Sequence, residues 1–97
     1  MPRLRTPPGQ VLAEEYMIPL ALSAKALGQA IGVAGNRISE IVHRRRDVSA
    51  DTAIRLGEYF NIDPLFWRNL QSAYDLSLAE NENDYSGVRT RVEAAWV

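Results

Sequence analysis

The sequence predicts an all-α fold, a bundle of five helices joined by short turns, and three observations carry that expectation. Apolar residues recur at helical spacing along the chain, and no segment alternates as a half-buried strand does. Residues suited to helix N-caps (Thr6, Ser23, Ser49 and Asp63) stand just ahead of those periodic runs. Residues that accept a left-handed stop, Gly32 and Asn61, close two of them.

Taken in order, Thr6-Pro7-Pro8 opens the first helix: a hydroxyl cap precedes prolines whose missing N–H groups cost nothing in a first turn. That helix runs to about Met17, before Pro19. Ser23 caps a second helix, Ala24 to Ile31, which Gly32 closes. A third follows from about Gly35 to His43. Ser49 caps a fourth that reaches Phe60, and Asp63 caps a fifth with Pro64 at its first position, continuing to about Glu80. The polar run Asn81-Glu82-Asn83-Asp84 breaks or frays it. Val88 to Trp96 fits a short final helix and an irregular tail equally well. Ala53, Leu56 and Phe60 form one stripe of the fourth helix, and Trp67, Leu70, Tyr74 and Leu78 one stripe of the fifth. Phe66 and Trp67 are both assigned to the core.

Ninety-seven residues correspond to one domain, with a core over about 7–80 and a C-terminal extension over 81–97. Without cysteine there is neither a disulfide framework nor a thiolate metal site, and no metal or cofactor is expected. No apolar stretch approaches the roughly 20 residues that span a bilayer, and no apolar run follows the charged N-terminus as in a signal peptide. A soluble, cytoplasmic protein is the expectation. Net charge is −1, yet residues 1–46 hold seven Lys/Arg against three Asp/Glu, and residues 47–97 four against nine. A polyanion requires a local positive face rather than a basic whole, so this asymmetry points to the first half.

The segment Ala24 to His43 meets the requirements of a helix-turn-helix. Gly28 supplies a small residue where two helices cross closely, and Gly32 a residue free to take positive φ in the turn. Leu27, Ile31, Val33, Ile38 and Ile41 fall where the crossing needs apolar contact. The third helix is then the recognition helix, entering the major groove of double-stranded DNA. With Ile38, Ile41 and Val42 inward, its outward set is Gly35, Asn36, Arg37, Ser39, Glu40 and His43. Asn36 has the paired donor and acceptor for adenine and Arg37 the fork for guanine; either suits phosphate as well. Gly35 offers close backbone approach. Glu40 suits a cytosine amino group, or orients Arg37 or Arg44. Ser23 and Lys25 are placed to meet phosphate, and Arg44, Arg45 and Arg46 to clamp the backbone beside the groove, although a three-Arg run also suits a solvated turn at a helix C-terminus.

Catalysis finds little support. His43 is the one histidine, and no phosphate-cradling glycine loop or metal-spaced cluster accompanies it. A purely protein-binding module with vestigial DNA binding remains open, because the acidic second half and the first helix, with Glu14, Glu15 and Tyr16, suit a basic partner.

Pro7-Pro8-Gly9-Gln10-Val11-Leu12, Asn36-Arg37-Ile38-Ser39-Glu40-Ile41, Asp51-Thr52-Ala53-Ile54-Arg55-Leu56 and Phe66-Trp67-Arg68-Asn69-Leu70-Gln71, running on to Tyr74-Asp75-Leu76, together resemble the HigA-type antitoxins among the phage-repressor-like (XRE) helix-turn-helix regulators. The resemblance covers nearly everything from Pro7 to Ala79. It implies a repressor-like bundle, a homodimer that represses its own operon, and neutralisation of a small basic mRNA-cleaving toxin. It places DNA contacts on Asn36, Arg37 and their exposed neighbours. Relatives that stand alone as repressors without a toxin are also implied. One departure stands out: the family commonly has a glycine soon after the recognition helix, where this chain has His43-Arg44-Arg45-Arg46. Dimerisation falls to the fifth helix or the C-terminal segment, through Leu76, Val88, Val92 and Trp96, with Trp96 equally suited to packing on its own core.

Overall fold

In the computed structural model, which describes residues 4–91, five α-helices follow one another: α1 Pro8–Val11, α2 Ala24–Ile31, α3 Gly35–Val42, α4 Ala50–Phe60 and α5 Pro64–Glu82. No strand occurs among the described residues. Two helices start and stop at the residues expected of them, and a third starts as expected. Ser23 Oγ accepts the Ala26 N–H at 3.0 Å, and Gly32 closes α2 at φ 79°. Ser49 Oγ accepts the Thr52 N–H at 3.2 Å, and Asn61 closes α4 at φ 56°. Asp63 accepts the Leu65 N–H at 2.9 Å, with Pro64 at the first position of α5.

The first helix departs from expectation. Pro7, not Thr6, occupies the N-cap, and no side chain caps the turn. Pro7 has no N–H to satisfy, and its carbonyl accepts from Gln10 and Val11 at 3.1 and 3.4 Å. Past Val11 the coil widens into a π-helix over Leu12–Met17, with the Ile18 N–H bonded five residues back to Ala13 at 2.9 Å. That bonding brings Leu12 and Met17, five apart, to the same interior, where both are buried. At the other end α5 runs to Glu82, two residues beyond expectation, because Asn83 still donates its N–H to the Ala79 carbonyl. Val88 to Arg91 is not helical; the remainder of the tail, with Val92 and Trp96, lies outside the described residues. No described helix is long and apolar enough to cross a membrane.

Leu12, Leu27, Ile38, Ile41, Val48, Ala53, Leu56 and Trp67 form the centre of the core, each essentially inaccessible. Tyr16 closes one side, its ring 4.8 Å from Phe60 and 5.3 Å from Trp67. Leu70 and Phe60 pack against this centre, and Tyr74 and Leu78 are half-buried. Phe66 is corrected from core to surface: it is exposed, with its ring edge-on to Trp67 at 5.1 Å. Consecutive residues on a helix point about 100° apart, so only one of the two can face inward.

Candidate nucleic-acid interface

The interface is built on the crossing of α2 and α3. A Cβ at Gly28 would lie 2.8 Å from the Val33 carbonyl oxygen and 3.0 Å from the Gly35 nitrogen, so only glycine lets the chain turn this tightly. Gly35 meets α2 in the same way: a Cβ there would sit 3.0 Å from Lys25 Cα. The missing side chain, expected to admit DNA, is thus explained by helix packing, and Gly35 lies half-buried. Arg55 reaches across from α4 and donates from Nη1 to the Ile31 carbonyl at 2.8 Å, satisfying an end of α2 that the αL turn leaves open.

Ile38 and Ile41 anchor α3 inward and leave its polar side outward. Asn36 is exposed at the start of that face and His43 at its end; Ser39 and Glu40 are half-buried. His43 Nδ1 lies 2.8 Å from the Ser39 carbonyl. A carbonyl only accepts, so Nδ1 carries the proton in that contact. Two acids stand on this side, and each is held by arginine. Asp51 Oδ2 accepts from Arg37 Nη1 at 2.9 Å and from Arg55 Nε at 3.0 Å. The Arg55 bond foremost, and then Arg37, hold the Asp51 carboxyl below the usual aspartate range. Glu40 Oε1 accepts from both Nη2 and Nε of Arg46, at 2.9 and 3.2 Å. Glu40 therefore orients Arg46, not Arg37 or Arg44 as expected. Lys25 on α2, and Arg44 and Arg45 after α3, are exposed and keep no ion-pair partner among the described residues.

No protein-family model matches the sequence. Virulence-associated protein I of Dichelobacter nodosus is 51% identical over 75 residues, covering 77% of this chain and 69% of the relative. The antitoxin GraA in complex with its operator superposes with a TM-score of 0.88 at 37% identity, covering 95% of this chain and 96% of that one. Pseudomonas aeruginosa antitoxin HigA with the higBA promoter superposes at 0.73 with 36% identity, over 89% and 99% of the two chains. The chain belongs to the HigA-type family of helix-turn-helix antitoxins. That membership places it among regulators rather than enzymes.

The HigA-type resemblance led to a glycine after α3, and the structure shows how the chain does without it. The Arg45 N–H bonds to the Glu40 carbonyl at 2.7 Å and the Arg44 N–H to Ile41 at 3.1 Å, a Schellman pair. The left-handed position belongs to Arg44, at φ 62°. An L-residue there carries about 1–2 kcal/mol of backbone strain that glycine would not. Beyond it, α5 fixes the loop. Gln71, 4% exposed, accepts the Val48 N–H at 2.8 Å and donates to Asp47 and Asp75, while Arg68 donates to the Val48 carbonyl. Sequence reasoning missed Asp51, Arg55, Arg68 and Gln71. Only the i,i+4 spacing of Asp51 and Arg55 was visible in the sequence as a possible pair.

Proposed function

We propose that this protein is a sequence-specific DNA-binding antitoxin that represses its own operon as a homodimer. Its single domain presents α3 to the major groove, Asn36 and Arg37 face base edges, and Ser23, Lys25, Ser39, His43, Arg44, Arg45 and Arg46 line the phosphates on either side. The observation that carries this reading is the polar side of α3 with its flanks, where Asp51 and Glu40 are each bound by arginine, and where Lys25 on α2 and Arg44 and Arg45 after α3 keep no ion-pair partner among the described residues. The strain held at Arg44 supports it, since backbone strain tends to persist where a site needs it. Two such helices reach successive major grooves only about 34 Å apart, which calls for a dimer. Leu76 and Val88, exposed at 63% and 76%, suit that contact. A small basic mRNA-cleaving toxin is the proposed second partner, received by the acidic half of the chain.

Titration against the promoter fragment of its own gene at several salt concentrations tests the reading. Arg37→Ala is expected to weaken operator binding by about 1–3 kcal/mol and relax specificity at one position. Replacing Arg44, Arg45 and Arg46 together is expected to weaken all duplexes alike and flatten the salt slope. If both variants bind as wild type does, α3 is not the DNA face. Co-purification with the product of the neighbouring gene tests the toxin arm, and sedimentation of the free protein tests the dimer.

A further inference from the structure

Arg37 does not stand free in front of the groove. Its Nη1 is tied to Asp51 Oδ2, the same oxygen accepts from Arg55 Nε, and Arg55 Nη1 is anchored on the Ile31 carbonyl. The chain of bonds joins the first turn of α3, the first turn of α4 and the last turn of α2. Arg37 Nε and Nη2 keep no partner among the described residues, so two of its three nitrogens remain able to donate outward. Its side chain is 32% exposed, against 58% for Asp51.

An exposed carboxylate beside a polyanion site weakens binding of any duplex by simple repulsion. Asp51 nonetheless stands beside the reading arginine, and its contacts fix where that guanidinium points. A long side chain held in place before contact gives up less freedom on binding, and one held at a fixed angle discriminates better between base edges. We infer that Asp51 is a positioning residue for operator readout: gripped by Arg55, it orients the Arg37 guanidinium through one nitrogen and so sets specificity at the base pair facing Arg37. The inference rests on the DNA-binding reading above and names a residue on α4, outside the helix-turn-helix, as part of its specificity.

The test compares wild type, Asp51→Asn, Asp51→Glu, Arg37→Ala and the double variant Asp51→Asn/Arg37→Ala. Each is titrated with the operator, with operators changed one base pair at a time, and with an unrelated duplex. Removing the negative charge is expected to hold or tighten binding to the unrelated duplex, while operator affinity falls on the order of fivefold and discrimination drops at the base pair that Arg37→Ala relaxes. No further loss is expected on the Arg37→Ala background. Asp51→Glu keeps the charge but moves the carboxylate, and is expected to lose the same discrimination. In the free protein, Arg37 Nε relaxation is expected to show an ordered side chain in wild type and a loosened one in Asp51→Asn. Equal tightening on all duplexes by Asp51→Asn would reduce Asp51 to a repulsive charge and overturn the inference. Equal weakening with and without Arg37 would make it a fold-stabilising acid, and overturn it too. A wild type that binds no duplex removes the DNA reading itself, a result distinct from either.

Discussion

Helices α2 and α4 carry their own stops, whereas α3 between them carries almost none. Each of the two scaffold helices has a serine cap in front and a residue suited to the left-handed conformation behind. The N-cap of α3 is Ala34, which offers no side-chain acceptor, and the left-handed residue after it is an arginine. What local chemistry omits is supplied from outside: Ile38 and Ile41 buried beneath, the backbone of Lys25 against Gly35, Asp51 on Arg37, and α5 gripping the loop that follows. A scaffold helix is specified by its own sequence, and the reading helix by its neighbours. The surface of α3 is thereby left free for polar and cationic residues that would be poor terminators.

The sharpest break of this contrast is to remove the buried anchor. Ile38→Ala is expected to cost about 2–5 kcal/mol in urea unfolding, since Ile38 is fully enclosed and its loss leaves a cavity under α3. Gly28→Ala, which drives a methyl into the Val33 carbonyl, is expected to cost about 1–3 kcal/mol. Caps separate the two kinds of helix more finely. Ser49→Ala is expected to destabilise by about 1 kcal/mol, while Ala34→Ser, whose backbone already has the extended cap conformation, is expected to stabilise by a similar or smaller amount. Arg44→Gly is expected to raise stability by roughly 0.5–1 kcal/mol through relief of its positive φ, yet to weaken DNA binding. Equal loss of stability from Ala34→Ser and Ser49→Ala would erase the distinction.

The smallest effect concerns pH. The folded-state pKa of Asp51 is lowered, so its ties to Arg55 and Arg37 are fully present above the unfolded aspartate value of about 3.9 and are lost as pH falls through the lower folded value. A carboxyl NMR titration is expected to give a midpoint below that of an unfolded aspartate. Arg55→Ala is expected to move it upward more than Arg37→Ala does.

The same contrast explains what could be read from the chain in advance. The boundaries of α2 and α4 and the start of α5 were legible because Ser23, Gly32, Ser49, Asn61, Asp63 and Pro64 act within four residues of themselves. The π-helical stretch was not, because nothing local marks Leu12–Met17; the wider coil follows from what Leu12 and Met17 must reach. Phe66 and Trp67 both satisfy a core pattern, and only the packed bundle shows which one turns inward. Within the candidate site, the outward set of α3 could be listed but its wiring could not. Arg37 and Asp51 stand fourteen positions apart, and Glu40 chose Arg46 over two other arginines within reach of the same argument.

Val48 is held by both of its peptide groups, the N–H by Gln71 and the carbonyl by Arg68. Such a double grip works like a fixed rivet: the stretch from His43 to Ser49 has no slack to take up. One residue inserted or deleted there would force the chain to surrender a grip or to lift the reading helix off its seat. The segment after Asn83, whose described part is exposed, is where length could drift between relatives without disturbing how the duplex is met.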